Sequence, residues 1–363
     1  MNKEEQLEKT VLMPDLTEQI KEKQKNTIAK KLFIVVAFFF LCLGSGLLFL
    51  YYGPFSFFRD FWITSAMTTM SHQYLATWFY NEDEINRVLA NNHIVEVDDT
   101  TNPELIDIKK QEANTNIYKN EYERQILEHD EDDLFKLIEI SGTGYQGYLV
   151  AIYDPSKIKI ATTNYLGVRG EAITTVAKRE NARVAINAGG FYDPDWNSNG
   201  ALPHGTVIKD GQIVSDYDDA NMGGGFIGFT NDDKLVLGKM TAEEALAMGI
   251  RDAVEFGPFL IVNGVSSFVK GNGGWGIAPR TAIGQREDGI VLFVVINGRL
   301  ATSLGADMGD LTEIMENYGA INAANLDGGS SSELVIDNEI INQPVAAGDH
   351  GLRDMPTFWI VTD

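Results

Sequence analysis

The run Asn325-Leu326-Asp327-Gly328-Gly329-Ser330-Ser331-Ser332 sets a carboxylate directly before two glycines and three hydroxyls. Residues of these types pack poorly in a core. The apolar lead-in through Leu326 predicts a buried strand ending at Asp327, and two readings of the glycine-serine loop beyond it stand side by side. In one, the glycines let backbone N–H groups approach an anion or a sugar closely. In the other, a tight turn uses Asp327 to accept backbone hydrogen bonds. Four more stretches interrupt apolar runs in the same way: Asn187-Ala188-Gly189-Gly190-Phe191-Tyr192, Pro203-His204-Gly205, Gly257 to Gly264, and Ala278-Pro279-Arg280-Thr281-Ala282. Each sits at the end of a predicted strand, where ligands gather in sheet-based folds.

The elements that must position these stretches begin near Phe135, where short β runs alternate with Gly, Asp and Asn. Tyr148–Tyr153 and Lys157–Ile160 read as a hairpin closed by Asp154-Pro155. Further hairpins are expected around Lys209-Asp210-Gly211, between Gly225–Phe229 and Lys234–Leu237, and at Asp288-Gly289. Helices are fewer: one within Gly170–Asn181, one capped by Thr241-x-x-Glu244, and one capped by Asp310-x-x-Glu313 that stops at Gly319 and leads into the Asp327 strand. The pattern predicts an α+β domain over 135–363, with a mixed, largely antiparallel sheet and a few packed helices.

Ahead of it the chain changes character. Leu32 to Tyr52 is an uninterrupted apolar run of twenty-one residues, close to the ~20 needed to cross the hydrocarbon core. Lys21, Lys23, Lys25, Lys30 and Lys31 crowd its N-terminal side, so the positive-inside rule predicts a cytoplasmic tail at 1–31, a single-pass anchor at 32–52 and an extracytoplasmic C-terminal part. The tail has no apolar period and reads as disordered or loosely helical. A cleavable signal peptide is the alternative to an anchor, although no small-x-small cleavage site follows the run. Residues 53–134 read as a helical stalk rich in aromatics and Met up to Phe79, followed by an acidic linker over 96–133. The lone Cys42 lies inside the apolar run, so the exported part has no disulfide, which suits a bacterial envelope better than an animal secretory route. A net charge of −23 argues against nucleic acid as a partner and requires any anionic ligand to find a local basic pocket. Oligomeric state is left open, with Gly44-Ser45-Gly46 as the only close-packing patch in the span.

In their order and content these stretches resemble the phosphodiester glycosidase family. Asn187 to Tyr192 is similar to its Asn-Gly-x-Phe-Phe block, Gly257 to Gly264 to its Gly-Pro block, Arg280-Thr281-Ala282 to its Arg-Thr-Ala block, Asn325 to Ser331 to its Asn-Leu-Asp-Gly-Gly-Gly-Ser-Ser block, and Arg353 with Pro356 to its closing Arg-x-x-Pro. Two departures stand out: Ala188 replaces a glycine, and Ser330 replaces the third glycine and stiffens the last loop. The resemblance implies hydrolysis of a sugar 1-phosphodiester at the glycosidic carbon, releasing a free sugar and a phosphomonoester; with the anchored, outward-facing topology the expected substrate is an envelope polymer or exopolysaccharide, and no cofactor is required, with calcium as the one candidate cation.

Residue chemistry assigns roles within that frame. Arg280 suits the phosphate, because its planar fork engages two oxygens and keeps its charge, while a surface ion pair is its plain alternative. Asp327 suits a general base or nucleophile, with Asn187 and Asn325 on sugar hydroxyls. His204 suits a donor to the departing phosphate or an exposed loop residue. For a second carboxylate, Glu255 in the apolar run Ala253-Val254-Glu255-Phe256 leads, with Asp307 and Asp310 as further options. Gly190, Tyr192, Thr281, Gly328, Gly329, Ser330, Ser331 and Arg353 complete the expected substrate contacts. Asp195-Trp196-Asn197-Ser198-Asn199-Gly200 fits the opening of a calcium loop through Asp195, Asn197 and Asn199, but Thr206 occupies the position of the usual bidentate Glu. The other reading makes this a cleft loop with Trp196 stacking on a sugar. A non-catalytic binder of anionic glycans, assisting polysaccharide assembly, is the competing function.

Overall fold

The computed structural model describes residues 3–69, 72–108, 118–192, 199–217, 225–345 and 351–363. The chain divides into two compact units, 1–60 and 61–363. In the first, the helix Lys3–Tyr52 contains the stretch Glu18–Tyr52, long and apolar enough for a membrane span or a signal sequence. The same helix takes in most of the tail expected to be disordered or loosely helical.

The second unit is built on three antiparallel sheets. The largest orders Val265–Ser266, Phe259–Val262, Ala320–Leu326, Arg280–Arg286, Val291–Ile296, Tyr145–Ile152 and Phe135–Gly142. A second orders Glu339–Ile340, Leu334–Ile336, Ala182–Asn187, Thr357–Thr362 and Ile158–Thr162, and a third Leu235–Gly238, Gly225–Thr230, Ile250–Phe256, Gly205–Lys209 and Gln212–Tyr217. The α+β expectation with largely antiparallel pairing holds.

The inner faces of all three sheets close on one core. Val291, Phe293 and Val295 point into it beside Ile186, Phe229, Phe256, Leu326 and Trp359. The alternate residues Leu292, Val294 and Ile296 face the other way, under the helix Met308–Asn317. That double covering explains why Val291–Ile296 is apolar throughout, since a strand buried on both faces loses the two-residue alternation. The helix Ile173–Glu180 covers the outer face of the second sheet, and Ala242–Ala247 that of the third.

Three expected hairpins form, joining Gly205–Lys209 to Gln212–Tyr217, Gly225–Thr230 to Leu235–Gly238, and Arg280–Arg286 to Val291–Ile296. The one expected at Asp154-Pro155 does not. Tyr145–Ile152 belongs to the largest sheet and Ile158–Thr162 to the second, because Asp154 caps a 3-10 turn at Pro155–Lys157 that carries the chain between sheets. The last helix also starts earlier than expected: Asp307 is its N-cap, and Asp310 closes a reciprocal capping box. The stretch read as an acidic linker is tied down at several points. Ile106 and Ile126 are buried, and Glu96 accepts a hydrogen bond from the Phe259 amide at 2.7 Å.

Candidate active site

Ala320–Leu326 and Arg280–Arg286 are neighbours in the largest sheet, with Thr281 opposite Leu326. Arg280 and Asp327 therefore leave adjacent strands at the same end. The end of Ala182–Asn187, from the second sheet, meets them there. Asp327 donates its amide to the Ala188 carbonyl at 3.1 Å, and its own carbonyl accepts from Asn187 Nδ2 at 2.6 Å. Asn187 Oδ1 in turn accepts from Thr281 Oγ1 at 2.7 Å and from the Glu333 amide at 3.3 Å. Buried Asn187 thus clamps the strand ends that carry Asp327 and Arg280.

A cleft of about 530 Å³ opens at this junction, lined by Asp327, Gly328, Gly329, Ser330, Ser331, Arg280, Arg299, Arg353, His204, Gly190, Phe191 and Trp275, with Phe61, Trp62, Ser65, Ala66, Thr68, Thr69, His72 and Leu75 along another wall. Arg280 is buried, and its Nε and Nη2 donate to the carbonyls of Ala306, Trp275 and Gly276 at 2.6–3.1 Å. Burial pushes its guanidinium down to about 10, opposed by the charges of Asp307 and Asp327 and reinforced by Arg299. It keeps its charge near neutral pH. A Cβ on Gly328 would lie 3.5 Å from Arg280 Nη1, and one on Gly329, whose φ is +63°, would lie 3.2 Å from Arg299 Nη2. The glycines thus leave room for guanidinium groups. Their N–H groups are already engaged, Gly328 with Asp327 Oδ1 at 2.9 Å and Gly329 with the Pro279 carbonyl at 2.9 Å. Arg353 closes the loop from the far side, donating to Ser330 Oγ at 2.6 Å and lying 4.8 Å over the Phe191 ring. Three arginines and one glycine-bearing carboxylate loop thus line the same cleft, a grouping of charge that is chemically suited to an anion.

Of the residues singled out in the sequence, Asp327, Arg280, His204, Gly190, Gly328, Gly329, Ser330, Ser331 and Arg353 converge on the cleft. Others sit behind it. Asn187 and Thr281 bond to each other, and Asn325 Nδ2 donates to the Gly257 carbonyl at 2.9 Å. These are struts for the strand ends and do not line the cavity, in contrast to the sugar contacts expected of the two asparagines. Glu255 also supports: Oε2 accepts from the Thr206 amide at 3.1 Å and lies where a Cβ on Gly205 would stand, which fixes the turn carrying His204. Tyr192 is exposed and packs 5.7 Å from Tyr217. Asn199 donates to the Val168 carbonyl at 2.8 Å. Asp195, Trp196 and Asn197 lie outside the described residues, and no group of His, Cys, Asp and Glu suited to a metal occurs among the described residues.

Sequence reasoning missed Arg299, Glu333 and the wall that Phe61, Trp62, Ala66 and Leu75 contribute to the cleft. Arg299 follows Asn297-Gly298 with a left-handed φ of +58°, a turn signature that was present. Glu333 is the one charge between the serines and an apolar strand. It is fully buried, its Oε1 accepts from the Arg353 amide at 2.8 Å, and burial first, then the charge of Asp354, pushes its carboxyl up to about 8 against the pull of that hydrogen bond and of Arg353.

A profile of the phosphodiester glycosidase family matches residues 180–362. An uncharacterised SPbeta prophage-derived protein of Bacillus subtilis is 33% identical over 199 residues, 52% of this chain and 30% of that protein, so the chain spans less than a third of that relative's length. Among solved structures, the catalytic domain of zebrafish N-acetylglucosamine-1-phosphodiester alpha-N-acetylglucosaminidase, auto-inhibited by its pro-peptide, superposes with a TM-score of 0.51 at 19% identity, covering 65% of this chain and 85% of that one. A putative exported protein of Burkholderia pseudomallei gives 0.43 at 18% identity, over 60% of this chain and 74% of its own.

Proposed function

Because the chain belongs to the phosphodiester glycosidase family, we propose that the cleft hydrolyses the glycosidic bond of a sugar 1-phosphodiester in a cell-envelope polymer or exopolysaccharide. The observation that carries this reading is the pairing of Asp327 with Arg280 on adjacent strand ends, inside a cleft that also holds Arg299 and Arg353.

The chemistry follows from the leaving group. A phosphate ester departs from an anomeric carbon more readily than an alcohol, so the site needs less acid assistance than an ordinary glycosidase and more stabilisation of phosphate charge. The C1–O bond breaks with its electron pair on the phosphate oxygen, beside the arginines. Asp327 supplies the carboxylate for the oxocarbenium-like carbon, as nucleophile or as base toward the incoming water. Water's oxygen ends on C1 and the products are a free sugar and a phosphomonoester. On this reading His204, in the cleft wall, donates to the departing phosphate. On this reading the apolar helix is a single-pass anchor, with the lysine-flanked N-terminus cytoplasmic and the domain outside.

The test is sugar release from a panel of sugar 1-phosphodiesters, including an N-acetylglucosamine 1-phosphodiester, with and without a chelator. Asp327→Asn and Arg280→Ala are each expected to lower kcat/KM by at least ~100-fold. Turnover that survives Asp327→Asn unchanged places the chemistry elsewhere. Retained glycan binding without turnover on any ester by a folded protein favours the non-catalytic binder, and loss of release on chelation points to the calcium loop.

A further inference from the structure

The cleft has two unlike walls. One carries the arginines and Asp327. The other comes from the helix Ser56–Met67 and the chain after it: Phe61, Trp62, Ala66 and, from the short helix Tyr74–Thr77, Leu75 form its apolar part, beside the polar Ser65, Thr68, Thr69 and His72. This second wall is locked to the domain. Ile63 and Thr64 are buried, Asn272 Nδ2 donates to Thr64 Oγ1 at 2.7 Å, and Trp62 Nε1 donates to the Leu75 carbonyl at 2.8 Å. A sugar and a phosphate need hydrogen-bond partners, and the aromatic and aliphatic part of this wall offers few. It matches hydrocarbon.

A second observation points the same way. The helix that turns Leu75 into the cleft turns Tyr74 and Trp78 outward, with rings 4.8 Å apart, and Phe79 is exposed beside them. Trp78 is 74% exposed, and Tyr74 and Phe79 are each 40% exposed. Exposed aromatics within four residues of the cleft-lining Leu75, in a segment that follows an apolar span in the sequence, have the composition of a membrane-interface contact.

We propose that the diester is a lipid-linked sugar phosphate, with the phosphate among Arg280, Arg299 and Arg353 and the first part of the hydrocarbon chain along the wall made by Phe61, Trp62, Ala66 and Leu75. This rests on the glycosidase reading and names its substrate class. Water adds to C1, the C1–O bond breaks, and the lipid leaves as its phosphomonoester, so no further reactant is required.

The experiment compares two esters of α-N-acetylglucosamine 1-phosphate, one to farnesol and one to methanol, using the full chain in phosphatidylcholine vesicles. The expected result is a kcat/KM about tenfold or more higher for the farnesyl ester, with that ratio cut about tenfold by Trp62→Ala. Trp78→Ala, at an exposed position where folding is not at stake, is expected to reduce the same ratio severalfold on vesicles. Hydrolysis of both esters at equal efficiency, or a ratio indifferent to both substitutions, overturns the lipid assignment and leaves the glycosidase intact. Hydrolysis of neither ester overturns both.

Discussion

Arg280 directs three hydrogen bonds at the carbonyls of Trp275, Gly276 and Ala306, so its removal strips partners from buried carbonyls as well as charge from the cleft. Loss of activity in Arg280→Ala therefore carries weight only beside a folded spectrum, whereas Asp327→Asn keeps the acceptor for the Gly328 amide and isolates the charge. Glu333 offers a test of the residues behind the cleft. Its carboxyl moves from a reference near 4.5 up to about 8 in the folded chain. Between those values the unfolded chain has lost the proton that the folded chain keeps, so folding stability falls as pH rises through this window and levels off above about 8. A shift of that size sets a ceiling of roughly 5 kcal/mol. Glu333→Gln is expected to flatten the slope, and thermal melting of both proteins across the window checks it. Parallel curves for variant and parent would mean that Glu333 is ionised throughout.

At the scale of elements, the helix Met308–Asn317 joins stability to the site through its first residue. Asp307 accepts from the Asp310 amide at 2.9 Å, and Asp310 Oδ2 accepts from the Asp307 amide at 3.0 Å, while the Asp307 charge also favours the charged form of Arg280. Asp307→Ala is expected to cost ~1 kcal/mol in urea unfolding. Asp307→Asn keeps the cap, so its stability should stay near that of the parent while kcat/KM shifts through Arg280 alone. Equal losses of stability in both variants would show that the carboxylate charge, and not the cap, holds the helix. The sequence points to a cap at Asp310-x-x-Glu313 because two acidic boxes overlap there, and only packing of Met308 into the core selects the first. Most hairpins were legible because Asp-Gly and Asn-Asp turns act locally. The crossing at Asp154-Pro155 was not, since a local turn signal does not say whether the next strand returns to the same sheet. The glycine loop, Arg280 and His204 were legible as residues that a core avoids, and Arg353 only through the resemblance of Arg353 and Pro356 to the family's closing block. The wall made by Phe61, Trp62, Ala66 and Leu75 was hidden because these side chains are ordinary core types, and Asn187 and Asn325 were assigned to substrate because a buried strut and a ligand contact use the same amide.

For the whole molecule, the decisive quantity is where charge sits. Residues 1–60 carry eight Lys and Arg against seven Asp and Glu, so of the net −23 the rest of the chain holds −24, and the domain bearing the cleft repels anions at long range. Inside the cleft, Arg280, Arg299 and Arg353 face Asp327, with Asp307 behind Arg280, which leaves a local surplus of about one positive charge. Salt acts unequally on these two fields. At ~0.15 M the Debye length is about 8 Å, which removes most of the repulsion across the surface and much less of the contact between a desolvated guanidinium and a phosphate. The methyl ester of a sugar 1-phosphate, a small soluble anion, is therefore expected to show kcat/KM rising ~2- to 5-fold from low ionic strength to ~0.15 M. The increase should lie in KM, since kcat reflects the complex after the anion has entered. A kcat/KM that instead falls with salt would mean that the three arginines project their field beyond the mouth and steer the anion in against the charge of the rest of the domain.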